Sequence, residues 1–317
     1  MKTYQIILII LIACSCSEKK AGYLGVIKSI ETKRYSIDEN NDTSYYKVSN
    51  EYFNTSGKTD SLIDFNEGER LNHEYFYTYN DRGILTKLES INHYGKGSIE
   101  IKEYMYNEMD SLIKLTINEN DFILTIDFQR NNSNQIKVKK FTTSRDGLIE
   151  TDSFSYNVDN KLTLLKKYNG FNNLIFQNQK NYNLDKQLLD ESIIELNQYD
   201  TTTMTVEYFY NSSNQIDSTK QSWLNSDSYH LTKFTYHENG ELKQTIRECY
   251  GCIRSATMTQ EFDVQGNLIL HKRIGPDGVV KEWSYKLVYD KNGNWIAKHS
   301  SYKSENKTGL LRKIEYD

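Results

Sequence analysis

Proline is nearly absent from this sequence, since Pro276 is the only one in 317 residues. Proline-rich segments act as semi-rigid spacers, so the chain has no such linker between domains. Charge of one sign is not concentrated either, because 39 basic and 43 acidic residues are interspersed and give a net charge of −4. Nucleic-acid recognition needs a concentrated basic surface, and we therefore expect no nucleic-acid partner.

Long apolar runs are also absent beyond the N-terminus. The run at residues 6–12 is too short to span a bilayer as a helix, and it follows the basic Lys2, as in a secretory signal. The run ends in Leu11-Ile12-Ala13-Cys14, which resembles the lipobox of bacterial lipoproteins. In that family the cysteine becomes the lipidated first residue of the mature protein.

The lipobox resemblance implies three N-terminal features. Residues 1–13 would be the signal peptide, Cys14 the lipidated residue, and residues 14–22 a tether to the membrane. Acyl chains would hold the protein at a membrane without a transmembrane helix. Cleavage before Cys16, or an ordinary signal that happens to contain cysteines, is the alternative.

Cysteine is scarce in the rest of the chain, where Cys249 and Cys252 enclose the turn-forming pair Tyr250-Gly251. An exported protein meets oxidising conditions, and a hairpin end would place the two sulfurs opposite each other, so we favour a disulfide. Metal binding would need a further pair of ligands, and a thioredoxin-like role would need a helix N-terminus. Two free thiols are the remaining alternative.

Catalytic signatures are missing as well. The sequence contains no nucleophile elbow and no phosphate-binding glycine loop, and its acidic residues are too scattered to nominate a catalytic pair. The histidines are distributed over different parts of the chain: His73, His93, His230, His237, His271 and His299. We expect no enzymatic activity, no catalytic residue, no cofactor and no metal, with a hydrolase site assembled from distant strands as the alternative.

Aromatic residues are what the sequence has in excess. The chain contains 25 Tyr and 12 Phe although only 37% of its residues are hydrophobic, and its mean hydropathy is −0.72. A disordered chain of such polarity would lack this aromatic area. Tyrosine can bury its ring while its hydroxyl stays in water, so we expect a folded protein with a large polar surface.

The aromatic residues recur at a nearly constant spacing. Intervals of 22 to 28 residues separate an aromatic that precedes a turn and an aliphatic residue. The recurring aromatics are Tyr79, Tyr106, Phe128, Tyr156, Tyr182, Tyr210, Tyr236, Phe262, Tyr289 and Tyr316. An earlier, degenerate copy begins at Phe53. Regular spacing of this kind is typical of a repeat protein.

Each repeat is expected to be a β-hairpin. Phe234 and Tyr236 lie two residues apart and therefore share one face of a strand. A residue that tolerates positive φ follows, as a tight turn requires. These turn residues are Gly83, Asn160, Asn214, Gly240, Gly266 and Gly293. The sequence predicts an all-β fold, an antiparallel array of about ten hairpins of about 26 residues that forms a long twisted sheet or spiral.

At this point the chain resembles the YD repeats of the RHS family, in which a Tyr-Asp pair precedes a glycine and an aliphatic residue. The segments Tyr289-Asp290, Phe262-Asp263 and Tyr316-Asp317 match most closely. Several copies carry Asn in place of Asp: Asn80, Asn107, Asn157, Asn183 and Asn211. The resemblance covers about residues 52–317 and implies an architecture, which in larger members is a hollow shell around a toxin.

The domain organisation follows from the repeats. Residues 23–50 are expected to be capping strands, and residues 51–317 the repeat domain. Since each hairpin would contact only its neighbours, loss of an end should be tolerated better than loss of a middle repeat. The last edge should pair with another strand or be protected by its basic residues: Lys303, Lys307, Arg312 and Lys313.

The functional expectation is a non-enzymatic cell-envelope lipoprotein that binds a glycan or an envelope protein on an aromatic β-surface. The signal and the Asn-, Ile- and Lys-rich composition are similar to lipoproteins of the Bacteroidetes, which implies lipid anchoring at the outer membrane. A component of an RHS-type toxin or immunity system is the second hypothesis, and a hydrolase is the third.

Overall fold

The computed structural model describes residues 27–38, 42–66, 68–95, 97–196, 201–252, 255–302 and 306–316. Within these ranges the chain forms strands and turns, and no helix has the length and apolar character that crossing a membrane requires. The strands are β1 (Ile27–Ile37), β2 (Thr43–Phe53), β3 (Thr59–Phe65), β4 (Leu71–Tyr79), β5 (Leu85–Asn92), β6 (Ser98–Tyr106), β7 (Leu112–Glu119), β8 (Phe122–Arg130), β9 (Ile136–Thr143), β10 (Gly147–Tyr156), β11 (Leu162–Asn169), β12 (Leu174–Tyr182), β13 (Leu188–Leu196), β14 (Thr201–Tyr210), β15 (Ile216–Trp223), β16 (Tyr229–Tyr236), β17 (Leu242–Tyr250), β18 (Thr257–Phe262), β19 (Leu268–Ile274), β20 (Val280–Tyr289), β21 (Trp295–Tyr302) and β22 (Asn306–Tyr316). The predicted signal peptide, Cys14 and the tether lie outside the described residues.

The sheet is closed. Each described strand pairs antiparallel with the next one in the chain, and β22 also pairs with β1, from Ile27–Tyr316 to Ile37–Lys307. The predicted hairpin array is present, but the expectation of an open twisted sheet or spiral is wrong, because the 22 strands form a closed β-barrel. Twist accumulates from strand to strand and curls the sheet until its two edges meet.

The closing strands β1 and β22, which we call the seam, are each 11 residues long. Their pairing removes both edges that an open sheet would expose. β1 and β2 belong to the same closed sheet as the repeats, since β2 pairs with both β1 and β3. Of the basic residues expected to protect the last edge, Lys303 lies outside the described residues, and Arg312 and Lys313 are paired with β1 in the seam.

The hairpin turns share one hydrogen-bonding pattern, which Asn157 illustrates. Its side-chain Oδ1 accepts hydrogen bonds from the backbone N–H groups of Asp159 and Lys161, at 3.0 and 2.9 Å. The fourth residue of the turn, Asn160, has a φ of 62°. Asp263 accepts the same two bonds from Gln265 and Asn267. An amide oxygen and a carboxylate oxygen thus serve this turn equally, which explains why Asn replaces Asp in many copies.

One copy is in a different register from the one expected. The residue opposite the aliphatic start of β9 is Arg130, which pairs with Ile136, while Phe128 lies two residues earlier in β8. If Arg130 instead of Phe128 is taken as the residue that ends the strand in this repeat, the two irregular repeat intervals change from 22 and 28 residues to 24 and 26. The aromatic pattern pointed to Phe128 because only residue type, not pairing, is visible in a sequence.

The sheet encloses no filled apolar core. The buried hydrophobic side chains among the described residues are Ile27, Ile30, Tyr35 and Ala297. With strands about 4.8 Å apart, 22 strands give a circumference of about 105 Å, which corresponds to a circle about 34 Å wide. Side chains cannot fill so wide a ring, so the sheet surrounds a water-accessible space.

The two faces of the sheet differ in crowding. We call the side that carries the strand-end residues Tyr106 and Tyr210 the tyrosine face. These two rings are half-buried, whereas their neighbours Met105 and Phe209 on the opposite face are 56% and 46% exposed. The buried polar side chains of the described strands all lie on the tyrosine face: Thr32, Thr143, Asp152 and Glu191. Side chains converge on a concave surface, and we therefore place the tyrosine face on the inside.

Candidate functional site

The strand-end tyrosines connect successive repeats. In six copies the hydroxyl donates a hydrogen bond of 2.7–3.0 Å to a main-chain carbonyl at the start of the return strand in the preceding repeat. The donor and acceptor pairs are Tyr79–Thr59, Tyr106–Leu85, Tyr156–Ile136, Tyr182–Leu162, Tyr210–Leu188 and Tyr236–Ile216. Burial raises the pKa of most of these hydroxyls, including those of Tyr106, Tyr156 and Tyr182. The repeat-defining tyrosines therefore hold neighbouring hairpins together.

At the same strand-end position, other repeats make their connection to the preceding repeat in two other ways. Arg130 donates from Nε and Nη2 to the carbonyl of Leu112, at 3.3 and 3.0 Å, and so joins its repeat to the preceding one without an aromatic ring. Tyr289 donates to the Oδ2 of Asp263 at 3.3 Å. Tyr316 donates likewise to Asp290, and the hydrogen bond from Tyr316 lowers the pKa of that carboxyl. In these last copies the aspartate binds both its own turn and the next tyrosine.

Lysine side chains lie against aromatic rings on the tyrosine face. The Nζ of Lys139 lies 5.7 Å from the ring centroid of Phe128 and 5.3 Å from that of Phe154. The Nζ of Lys167 lies 6.0 Å from the ring centroid of Phe176. Such contacts are favourable and keep the rings from packing into a continuous apolar surface. The face is therefore both aromatic and charged.

Two carboxylates come together on this face at Glu150 and Asp152, which are two residues apart in β10. Asp152 is 4% exposed, and its Oδ1 lies 4.0 Å from the Nζ of Lys167. The same ammonium lies 3.5 Å from Glu150. Burial raises the pKa of Asp152 to about 6, and the neighbouring Glu150 adds to this increase while Lys167 opposes it.

A second charged network surrounds Glu191 in β13. Its carboxylate accepts hydrogen bonds from Tyr208 Oη at 2.7 Å and from Asn178 Nδ2 at 3.0 Å. It also lies 3.0 Å from the Nζ of Lys180. Burial alone would raise the pKa of Glu191, but the two hydrogen bonds and the ammonium group together lower it. The neighbours of Glu191 therefore favour its ionised form despite burial.

A depression of about 550 Å³ crosses the seam on the tyrosine face, and we call it the seam pocket. Arg34 donates to Tyr46 Oη at 3.2 Å, and its guanidinium lies 5.8 Å from the Tyr46 ring centroid. On the other side, Lys298 Nζ lies 4.9 Å from the ring centroid of Tyr285. The described lining residues include no carboxylate: Arg34, Ser36, Tyr46, Tyr285, Lys298, Ser300, Thr308, Gly309 and Leu310.

The seam pocket was not visible in the sequence. Its two aromatic residues, Tyr46 and Tyr285, are 239 positions apart and line the same depression only because β1 pairs with β22. Neither belongs to the series of strand-end aromatics. The volume lies within the range of about 300–1,000 Å³ that small-ligand sites occupy.

The other predicted site residues lie in the following places. Cys249 and Cys252 are joined by a disulfide at the end of β17, with Cα atoms 5.9 Å apart. The turn glycines have positive φ, from 72° at Gly83 to 86° at Gly240. The repeat-defining residues Tyr289 and Phe262 end β20 and β18. Cys14, the predicted lipidation site, lies outside the described residues.

Comparison with known proteins gives structural likenesses only. No family model matches the chain, and no curated protein matches it. The crystal structure of TcdB2-TccC3-Cdc42 aligns with 86% of this chain and 17% of its own, at 10% identity and a TM-score of 0.45. A second structure, of TcdB2-TccC3, aligns with 86% of this chain and 20% of its own, at a TM-score of 0.34. This chain therefore spans about a fifth of those chains.

A porin-like protein from Bacteroides uniformis aligns with 93% of this chain and 99% of its own, at 9% identity and a TM-score of 0.29. All of these TM-scores are below 0.5, and likenesses at this level carry no information about function. The β-architecture of this protein is established by its own strand pairing.

Proposed function

We propose that this protein is a non-enzymatic lipoprotein of the cell envelope that binds an acidic glycan on the inner face of its closed sheet. The observation that carries the proposal is the seam pocket, which combines two aromatic rings with two cations. Sugar rings stack on aromatic side chains, and the cationic groups of Arg34 and Lys298 would pair with sugar carboxylates or sulfates.

The strand-end tyrosines are poorer candidates for contact with a ligand, although they are the most numerous aromatic group. Tyr156 and Tyr182 already donate to main-chain carbonyls and are half-buried against the preceding repeat. A ligand would have to break those bonds to use the hydroxyls. Tyr46 and Tyr285 are not part of that series, which supports placing the binding site at the seam.

Binding is tested with a panel of neutral and acidic polysaccharides, followed by calorimetry on the best ligand. The double variant Lys298→Gln/Tyr285→Ala should weaken binding of an acidic glycan by at least about tenfold, the loss of about 1.4 kcal/mol. The matched control is Lys220→Gln/Tyr229→Ala, which removes a lysine–tyrosine pair of similar geometry, 5.2 Å, from the opposite face. Binding by this control should be unchanged.

Three results would contradict the glycan proposal. Equal weakening in the control variant would locate binding elsewhere on the sheet. Stronger binding of neutral than acidic glycans would remove the role of Arg34 and Lys298. Binding of an envelope protein, with no glycan bound, would replace the glycan by a protein ligand.

The proposed lipid anchor is tested separately, by labelling cells with a clickable fatty acid. Cys14→Ala should abolish labelling of the protein, because the acyl chains attach at that residue. Protease treatment of intact cells then distinguishes a surface location, in which the repeats are digested, from a periplasmic one. Labelling that persists in the variant would reject lipidation at Cys14.

A hydrolase is the second candidate function, and the pair Glu150 and Asp152 is the observation that favours it. A carboxyl group with a raised pKa, such as that of Asp152, can act as a general acid. Assays with chromogenic glycosides test this directly. Turnover by the wild type that Asp152→Asn abolishes would replace the non-enzymatic proposal, and absence of turnover would leave the two carboxylates a structural role.

A further inference from the structure

The disulfide at the end of β17 has a third potential ligand beside it. Cys249 in β17 lies directly opposite His230 in β16, and Cys252 follows the turn residue Gly251, which has a φ of 71°. The two sulfur atoms and a ring nitrogen of His230 all lie within 4.8 Å of one another. His230 and the cysteines are about 20 positions apart in sequence, so only the strand register brings them together.

The imidazole of His230 is held by two neighbouring side chains, Arg247 and Trp223. Burial lowers the pKa of His230, and the nearby Arg247 guanidinium lowers it further. Arg247 donates to Nδ1 of the ring, and the rings of Trp223 and His230 lie nearly perpendicular with their centroids 4.9 Å apart.

We propose that reduction of the Cys249–Cys252 disulfide converts this cluster into a site for one thiophilic d¹⁰ cation, Zn²⁺ or Cu⁺. Two thiolates and one imidazole are ligands that both ions accept. With three protein ligands the ion would keep an open position for a water molecule or an exchanging ligand. The disulfide form has no thiolates and holds no ion, so the site would load only under reducing conditions.

The redox step balances with an external dithiol as the reductant. The dithiol transfers two electrons and two protons to the disulfide, forming the thiols of Cys249 and Cys252 while it becomes a cyclic disulfide itself. Binding of the cation then displaces the two thiol protons into solution. His230 contributes a lone pair and exchanges its hydrogen bond from Arg247 for the metal bond.

The test uses the full chain, reduced with a phosphine that is then removed under anaerobic conditions. Zn²⁺ and Cu⁺ are titrated in separate arms against chromophoric chelators that report the free ion. The reduced protein should bind one equivalent, and the oxidised protein none. Emission from Trp223 should change on loading, and a Trp223→Phe variant should lack that change.

Variants separate this site from adventitious binding. Cys249→Ser should abolish binding, and His230→Asn should weaken it by at least about tenfold. Arg247→Gln should strengthen binding, since it removes both a competing hydrogen bond and a positive charge. The matched control is His271→Asn, because His271 also packs against a tryptophan, with ring centroids 5.3 Å apart at Trp283, but belongs to no such cluster among the described residues.

Either of two outcomes overturns the proposal. The first is that the reduced wild type binds neither ion more tightly than the reduced Cys249→Ser variant does. The second is that His230→Asn and His271→Asn bind with equal affinity, which would reduce the cluster to a pair of thiols. Circular dichroism of each variant shows whether it has kept the β-structure on which the comparison depends.

Discussion

On the tyrosine face, residues that end equivalent strands in different repeats differ in the hydrogen bonds that they make, and residue type does not predict these differences. Most strand-end tyrosines, such as Tyr156, donate to a main-chain carbonyl of the preceding repeat, and Arg130 does the same with its guanidinium group. Phe262 stands at the same position without a hydroxyl. Residue type alone therefore predicted the repeat but not which copies are connected by hydrogen bonds.

Two substitutions at the strand-end position should have opposite effects on stability. Tyr156→Phe removes the 2.8 Å bond to the carbonyl of Ile136 and should lower the free energy of unfolding by about 1 kcal/mol. Phe262→Tyr adds a hydroxyl where the other copies have one, and should raise it by a similar amount. Urea denaturation of both variants measures the difference. A loss of stability in both would mean that ring packing, not the hydroxyl, determines this position.

Asp152 should make stability depend on pH between about 4 and 6. Its folded-state pKa of about 6 lies above the ordinary value of 3.8, so the folded protein holds this proton more tightly than the unfolded chain. The contribution is complete below pH 4 and is lost as the pH rises through 6. It amounts to at most about 3 kcal/mol, from about 1.4 kcal/mol for each pKa unit.

Asp152→Asn is the substitution that tests this dependence. The variant cannot ionise, so its free energy of unfolding should change less than that of the wild type between pH 4 and pH 7. The control is Asp127→Asn on the opposite face of β8. Identical pH profiles for the wild type and Asp152→Asn would show that Asp152 titrates normally.

At the scale of the element, the turns explain how a variable sequence keeps a constant hairpin. Positive φ is found at glycine in some copies and at asparagine in others, as at Gly240 and Asn214. Both residue types tolerate this conformation. The turns with glycine or asparagine at this position could therefore be predicted from the sequence, whereas the copies with Lys186 and Glu69 there, and the shift of one copy to Arg130, required the structure.

The turn at Asn157 offers a direct test of the shared hydrogen-bonding pattern. Asn157→Ala removes the acceptor of two backbone N–H groups and should lower the free energy of unfolding by about 1 kcal/mol. Asn157→Asp keeps an oxygen in the same place and should change it by less than about 0.5 kcal/mol. Thermal denaturation of the pair measures both effects. Equal losses would show that the amide nitrogen matters instead.

At the scale of the whole molecule, closure of the sheet changes the contribution of the terminal strands to stability. In an open array the terminal strands would be the most dispensable, and the sequence predicted that truncation there is tolerated best. In the closed sheet β1 and β22 pair with each other, so removing either opens the ring and exposes two edges. A middle repeat, in contrast, can be removed without opening it.

Two deletions test this reversal. Deleting residues 211–236 removes β15 and β16. Tyr210 then takes the place of Tyr236 before the next turn, which leaves a closed sheet of 20 described strands. Deleting residues 306–317 removes fewer residues but takes away β22. We expect the second deletion to lower the melting temperature more, by at least about 5 °C, since each 1 kcal/mol corresponds to roughly 2–4 °C.

Limited proteolysis gives a second measure of the same difference. The protein without β22 should be cut faster in β1 and β21, the strands left unpaired on one side. The protein without residues 211–236 should resist as the wild type does. Greater stability of the end-truncated chain would contradict a stabilising role for the seam.

The sequence by itself determined the local structure of this protein. Aromatic spacing, turn residues and the alternation of side chains specify hairpins of about 26 residues, because those signals act within a few positions of the chain. Tertiary structure decided what depends on contacts across the sheet. It determined that the ends meet, that Arg130 takes the place of a tyrosine, that Tyr46 and Tyr285 line one depression across the seam, and that His230 lies beside Cys249. Strand register and accumulated twist set these contacts, and neither is encoded at one position of the chain.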